Sequence, residues 1–395
     1  MQGSGPLTSP FPLRPLLVLT TVFYISFLSR TVIAPLLPVI EVEFGLSHGE
    51  AGSLFVFIAS GQCVGFLASG FVSSRLNYRL TVFFSAIAVG GAMLAMSYSA
   101  TVSGMYTWLF LLGVSEGLYF PSGIAIITEL TSRQHWGKAM AIHEVAPNLA
   151  LVTAPLLVEA LLIAVPWRGI IGIVGVSAVL LGLLFLLSGQ GGTQKGTSPN
   201  PKTMREILRE PSFWIIATVI AFALGAADGL YAMLPLFLVN EIGFEREFAN
   251  TIIGLSHVSG VIIIFFSGLI TDRIGAKRAM ALFAGTTGVL TLMLGCFHGS
   301  FVTPALVFLQ ATSIACFFPP ALVIAALILP PRLRGLALSL VFIVGILFGE
   351  GVVPPGVGYL AEAVSFSFGI CVIGVLVLGI LPLLFFLRTD SHVRE

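Results

Sequence analysis

The chain has 395 residues, of which 57% are hydrophobic and only 9% charged, with a formal net charge of +1. Soluble domains carry about 25% charged residues, so the composition excludes an ordinary soluble core and predicts an all-α integral membrane protein whose helices cross a lipid bilayer. No nucleic-acid partner is expected, and the four cysteines (Cys63, Cys296, Cys316, Cys371) read as small packing residues, since no CxxC or Cys/His pair suggests a metal.

The opening "MQGSGPLTSPFP" lacks a basic n-region and a small-residue cleavage site, so the first apolar run is expected to be a retained spanning helix. A span needs roughly 20 mainly apolar residues. Runs of that kind predict twelve helices, at 14–39, 51–74, 80–99, 103–129, 137–165, 169–188, 212–239, 248–271, 278–297, 301–329, 335–362 and 365–387.

In chain order, helix one reads "FYISFLSRTVIAPLLP", with Arg30 near its middle, and helix two runs into the loop "GFVSSRLNYRL". Helix four carries "GVSEGLYFPSG" with Glu116, and helix five carries "HEVAPN" with His143 and Glu144. Between helices six and seven, "SGQGGTQKGTSPNPKTMREILRE" is rich in Gly, Ser, Thr and Pro and reads as a flexible linker ending in a short amphipathic piece on the membrane surface. Helix seven holds Asp228 and helix eight His257; "GLITDRIGAKR" follows helix eight, and helix eleven holds Glu350.

All of the nineteen Lys and Arg residues except Arg30, Arg168 and Arg246 fall on the side shared by both termini. The positive-inside rule therefore places both termini in the cytoplasm of a multi-pass protein of the plasma (inner) membrane. The linker divides the chain into a six-helix bundle at 1–188, a cytoplasmic linker at 189–211 and a second six-helix bundle at 212–395. Sliding one half over the other by 198 residues brings Gly70 onto Gly268, Arg75 onto Arg273, Arg79 onto Lys277, and the "FP" pair at Phe120 onto that at Phe318. Two six-helix repeats in one chain are the signature of transporters whose substrate sits near the bilayer midplane between halves that rock about it.

On these residues the chain resembles the major facilitator superfamily. "GLITDRIGAKR" is similar to that family's loop motif, with Gly268, Asp272, Arg273, Gly275, Lys277 and Arg278 in register; the counterpart after helix two is degenerate, with Ser74 in place of Asp and Asn77 in place of Gly. The resemblance implies twelve helices in two pseudo-symmetric halves, with helices one, four, seven and ten lining a central cavity. In the motif, Gly268 is expected to allow close helix packing and Gly275 a tight turn. Asp272 is expected to sit against the N-terminus of helix five near Gly137 as a cytoplasmic latch.

Charges within spanning helices are functional candidates, since each costs ~2.5–3.5 kcal/mol at the centre by insertion scales. Arg30, Glu116, Asp228 and Glu350 all lie within about four residues of their helix midpoints, hence within roughly 6 Å of one level. Arg30 suits a carboxylate or phosphate, which a guanidinium grips with two parallel hydrogen bonds. An Arg in helix one with a "GxxEG" Glu in helix four is similar to the anion:cation symporter branch, which implies that Arg30 binds substrate and Glu116 takes the coupled proton. The branch's acidic residue before that Arg is Ser29 here. Asp228 and Glu350 join the substrate site, and Asp228, His143 and Glu144 are further proton candidates. The competing reading of Arg30 is an ion pair holding helices together.

"HEVAPN" has Pro147 where a zinc motif needs its second His, and no GxGxxG or GxxxxGKS is present, so neither metal, cofactor, nucleotide nor enzyme chemistry is expected. The sequence thus predicts a secondary active transporter, functional as a monomer, working by alternating access and coupling protons to uptake of a small organic anion. The alternative is a proton-coupled exporter of drug-like or amphipathic compounds.

Overall fold

The computed structural model describes residues 11–196, 200–328 and 334–387. Among them every long element is helical: eleven helices are long and apolar enough to cross a membrane, and Arg246–Ile274 is a twelfth long helix. The first half contains α1 (Leu13–Phe44), α2 (His48–Arg75), α3 (Tyr78–Ser97), α4 (Val102–Leu130), α5 (Trp136–Leu162) and α6 (Trp167–Ser188). The second contains α7 (Pro211–Glu241), α8 (Arg246–Ile274), α9 (Ala276–Cys296), α10 (Val302–Ile328), α11 (Arg334–Gly345, Ile346–Val352 and Val353–Ala363 in succession) and α12 (Phe366–Phe386). Large apolar side chains such as Phe71, Leu180, Phe266 and Val375 face outward, the pattern lipid imposes on a spanning bundle. Lys and Arg outside the described residues, Arg332, Arg388 and Arg394, belong to the terminal side only by sequence.

Two helices are longer than hydropathy predicts. α1 continues past Pro38 to Phe44, and α2 starts at His48. The polar residues that suggested a loop find partners on folding: Glu41 pairs with His48 at 2.5 Å, and Ser47 and Glu50 form a reciprocal capping box. Gly45, at φ +61°, supplies the left-handed residue that ends α1.

The 198-residue repeat recurs as identical contacts. Ser69 of α2 donates to the Leu118 carbonyl of α4 at 3.1 Å, and Ser267 of α8 to the Cys316 carbonyl of α10 at 2.6 Å, each residue exactly one offset from its counterpart. Gly90 of α3 lies against Gly175 of α6, and Gly288 of α9 against Gly374 of α12.

The first part of the linker is not the loose tether that its composition suggested. Residues 191–196 lie on the first half: Tyr78 N–H donates to the Gln194 carbonyl (3.1 Å), Arg79 N–H to Gly192 (2.8 Å) and Gly196 N–H to Ser73 (3.0 Å). Glu129 accepts from the Gly192 amide at 3.0 Å. Gly191 and Gly192 sit at φ +73° and +72°, so their glycines answer to backbone conformation. The strap covers the degenerate loop after α2. Beyond it, helix Pro201–Leu208 buries Ile207 in the core.

The two halves meet chiefly on the side opposite the termini. There Gly49 and Gly52 of α2 pack on Tyr359 and Pro354 of α11, and Gly254 of α8 packs on Val152 of α5. Glu362 accepts from the Gly49 amide at 2.6 Å. Arg246 of α8 grips Glu159 of α5 with both carboxylate oxygens (3.0 and 3.1 Å), and buried Asn250 donates to Glu159 (2.5 Å) and to the Pro35 carbonyl of α1 (3.3 Å). Toward the termini, the last hydrogen bond between halves among the described residues is Cys63 Sγ to the Ile343 carbonyl, at 3.5 Å.

Candidate functional site

Arg30 stands at the end of a helical segment that the sequence interrupts. Pro35 has no N–H and its ring crowds the carbonyl four residues back, so α1 breaks at Val32. Ser29 and Thr31, flanking Arg30, turn their hydroxyls back to the Ile25 and Phe27 carbonyls at 2.7 Å. Arg30 is thereby the polar group left to face the centre, with its guanidinium carbon 4.0 Å from the centroid of the Phe27 ring.

Asp228 and Glu350 reach the same point from the other half on π-helical turns, Gly225–Gly229 in α7 and Ile346–Val352 in α11. Such turns carry one extra residue and re-aim side chains. The two turns pack backbone to backbone: a Cβ on Gly229 would lie 2.4 Å from the Gly349 carbonyl oxygen, and one on Gly349 2.7 Å from the Gly225 nitrogen. Gln310 of α10 donates to the Ala226 carbonyl at 2.8 Å and anchors the widened turn.

Glu116 arrives from α4 by the same logic. Gly113 and Gly117, on either side of it, lie against the Ile58 and Gln62 carbonyls of α2, and Gly61 and Gly65 return the contact. No side chain fits in that seam, and it sets Gln62 beside Glu116, whose carboxylate accepts from the Gln62 amide at 2.8 Å.

The four charges predicted to share a level are thus brought together. Arg30 Nη1 hydrogen-bonds to Glu350, its Nε is 4.0 Å from Glu116, and Asp228 lines the same cavity as Arg30 and Glu350. One guanidinium faces three carboxyl groups. Beside them is a cavity of about 30 Å³, lined by Arg30, Asp228 and Glu350 together with Phe27, Phe55 and Tyr231. That is space for a water or two. In this conformation Arg30 is therefore engaged by an acid of the opposite half, the arrangement of the competing ion-pair reading.

His143 and Glu144 lie elsewhere, nearer the termini. His143 is fully buried, stacked on Phe23 at 4.3 Å, with Nε2 3.1 Å from the Tyr119 hydroxyl. That hydroxyl donates to the Leu19 carbonyl, so the imidazole Nε2–H is the donor to Tyr119 and Nδ1 faces Glu144 Oε1 at 3.5 Å. His257 packs edge-to-face with Tyr231, and its Nδ1 bonds to the Ile253 carbonyl at 3.0 Å.

The loop motif is placed at the terminal end of α8. Gly275 makes the expected one-residue turn at φ +86°, and Lys277 donates to the Leu387 carbonyl at 2.9 Å. Asp272, Arg273 and Arg278 are exposed, and among the described residues Asp272 has no hydrogen bond or ion pair. The close packing expected at Gly268 is not made: a Cβ there, or on Gly137, would meet nothing within 4 Å. Among the described residues, the contacts of α8 with α5 lie toward the other end, at Gly254 and Arg246.

Sequence reasoning missed Gln62, Tyr231, Phe27, Phe55 and Glu159. The four-residue glycine spacing at 61/65 and 113/117 was the available signal for Gln62, and the charge of Glu159 inside the predicted fifth helix was the signal for that residue; Tyr231, Phe27 and Phe55 are ordinary residues of apolar helices.

Comparison with known proteins agrees with this architecture. The chain is 22% identical over 299 residues to the "Probable sulfoacetate transporter SauU" of Cupriavidus necator, covering 69% of each chain, and 21% identical over 297 residues to the 4-hydroxybenzoate transporter PcaK of Acinetobacter baylyi, covering 65% of each. Its fold superposes on a bacterial homologue of the human lysosomal transporter Spinster, crystallised in an inward-facing and occupied conformation, with a TM-score of 0.80 at 16% identity over 96% of this chain and 97% of that one. The sequence profile of the Major Facilitator Superfamily matches residues 19–264 and 228–395, essentially the whole chain, and the protein belongs to that family of membrane transporters.

Proposed function

We propose that the protein is a secondary active transporter of the plasma membrane, with both termini cytoplasmic, that moves a small organic anion together with protons by alternating access. The observation that carries this reading is Arg30, held between the halves by Glu350 at the edge of a central cavity. A substrate carboxylate and Glu350 compete for the same guanidinium. Glu350 gives it up when it takes a proton, so anion binding and protonation become one event. The surplus of carboxyls supports the same coupling: an anion enters a site bearing Glu116, Asp228 and Glu350 only when most of their charge is neutralised. The carriage of organic anions by relatives such as the 4-hydroxybenzoate transporter supports the substrate class.

The interface around Arg246 and Glu159 closes the outer side here. On reversal, the exposed Asp272 would approach the N-terminus of α5, where the open space at Gly137 and Gly268 leaves room for it. His143 and Glu144 would pass protons between the centre and the cytoplasm.

The test is uptake into proteoliposomes across a panel of carboxylates and one lipophilic cation, with and without an inward proton gradient. We expect gradient-driven accumulation of a carboxylate, reduced about 100-fold or more by Arg30→Lys, since a lysine cannot supply the paired hydrogen bonds. A second reading, export of cationic amphipathic compounds, is favoured by the same excess of carboxyls; cation transport indifferent to Arg30→Lys would establish it and remove the first.

A further inference from the structure

Tyr231 lies one helical turn beyond Asp228 on α7 and borders the central cavity. Its side chain is 5% exposed, and its hydroxyl is buried with no hydrogen-bond partner. A buried phenol is normally paired, so one left unpaired by the protein in a wall beside Arg30, Asp228 and Glu350 is available to a bound molecule. The ring cannot easily turn away: it packs edge-to-face on His257 at 5.2 Å, and His257 is itself tied to its own helix through Ile253. Arg30 and Tyr231 line one cavity from different halves, and Phe27, Phe55 and Ile58 supply its apolar walls. Arg30 already rests on the face of Phe27.

Resting on the anion reading above, we infer that Tyr231 determines which anion is taken: its hydroxyl receives a second hydrogen-bonding group, at the end of a flat apolar-bodied carboxylate away from the carboxylate held by Arg30. The substrate class is an aromatic or similarly planar acid bearing a distal hydroxyl or carbonyl. Such a molecule bridges the halves, with its charge on α1 and its far end on α7. A cavity of about 30 Å³ is too small for it, so it enters when Glu350 releases Arg30 and the halves part at the centre.

The unmodified protein gives the first measurement. In proteoliposomes, benzoates carrying a para hydroxyl, methyl or fluorine, and benzoate itself, differ little in shape. We expect the hydroxylated acid to be taken up at least about tenfold more efficiently than the methyl analogue, as judged by kcat/KM, because a site that hydrogen-bonds a hydroxyl discriminates against its absence. In Tyr231→Phe that ratio should fall to within about twofold. A lost fold or a general packing defect lowers both substrates and leaves the ratio alone. A ratio near one in the unmodified protein, or one that survives Tyr231→Phe, overturns the inference while leaving the anion reading intact. Failure to transport any of these acids, combined with Arg30-dependent uptake of small aliphatic carboxylates, overturns it too. If no carboxylate is transported at all, both readings fall together.

Discussion

Glu116 occupies a different electrostatic position from Glu350, although both surround one guanidinium. Glu350 hydrogen-bonds Arg30 directly, whereas Glu116 stands 4.0 Å off and takes its hydrogen bond from the neutral Gln62. A carboxylate so placed is free to change charge without breaking the junction between halves. Glu116→Gln should therefore preserve exchange of labelled for unlabelled substrate across proteoliposomes, at rates within about threefold of the unmodified protein, while accumulation against a gradient is lost. Continued accumulation would leave Glu350 as the coupling carboxyl, with Asp228 and Glu144 next. The charged members of this cluster were legible in the sequence because an ionisable group at mid-bilayer contradicts its surroundings. Gln62 and Tyr231 were not, since a lone Gln or Tyr changes hydropathy little and gains meaning only from the neighbour that packing assigns to it.

At the scale of helices, small residues decide where the charges end up. The α2–α4 seam has four glycines, each within about 3 Å of the opposite backbone once a Cβ is imagined, and the α7–α11 seam has two, Gly229 and Gly349. Gly117→Leu would drive a side chain into the Gln62 carbonyl, 2.4 Å from the Cβ, at a backbone that cannot move without carrying Glu116 with it. The expected result is a loss of about 3 kcal/mol or more of stability, read as poor monodisperse yield and a thermal midpoint lowered by several degrees. Gly268→Leu, where nothing lies within 4 Å, should by contrast give a normal yield. The number and order of helices were readable from apolar runs alone, and the 198-residue offset survives as matched hydrogen bonds at Ser69 and Ser267. The ends of α1 and α2 were not readable, because Glu41 and His48 look like loop residues until they pair. The linker was misjudged for a related reason: glycine marks both slackness and a left-handed backbone, and only the partners at Tyr78 and Arg79 tell which.

For the molecule as a whole, the contact between halves is lopsided, and the chemistry of the closed end is specific. Arg246, Glu159 and Asn250 link α8, α5 and α1, with Asn250 fully buried. Removing one partner of a half-buried, two-pronged ion pair weakens the closed end relative to the open one. In a background lacking the native cysteines, Ala51→Cys places a thiol in the closed region of α2, where the residue is fully buried. Adding Glu159→Gln should raise its rate of labelling by an impermeant maleimide about 5- to 10-fold, the shift expected for roughly 1 kcal/mol of differential stability. An unchanged rate would show that the glycine contacts alone keep this end shut.

The docked segment 191–196 bears on the opposite end. Gly196 is fixed to the first half through Ser73, and helix Pro201–Leu208 is fixed to the second through Ile207 and through Trp214, which donates to the Leu208 carbonyl. Only five peptide links separate Gly196 from the start of that helix at Pro201, and a fully extended chain of that length reaches about 18 Å. The connection is therefore a short leash: it limits how far the two halves can part on the side of the termini.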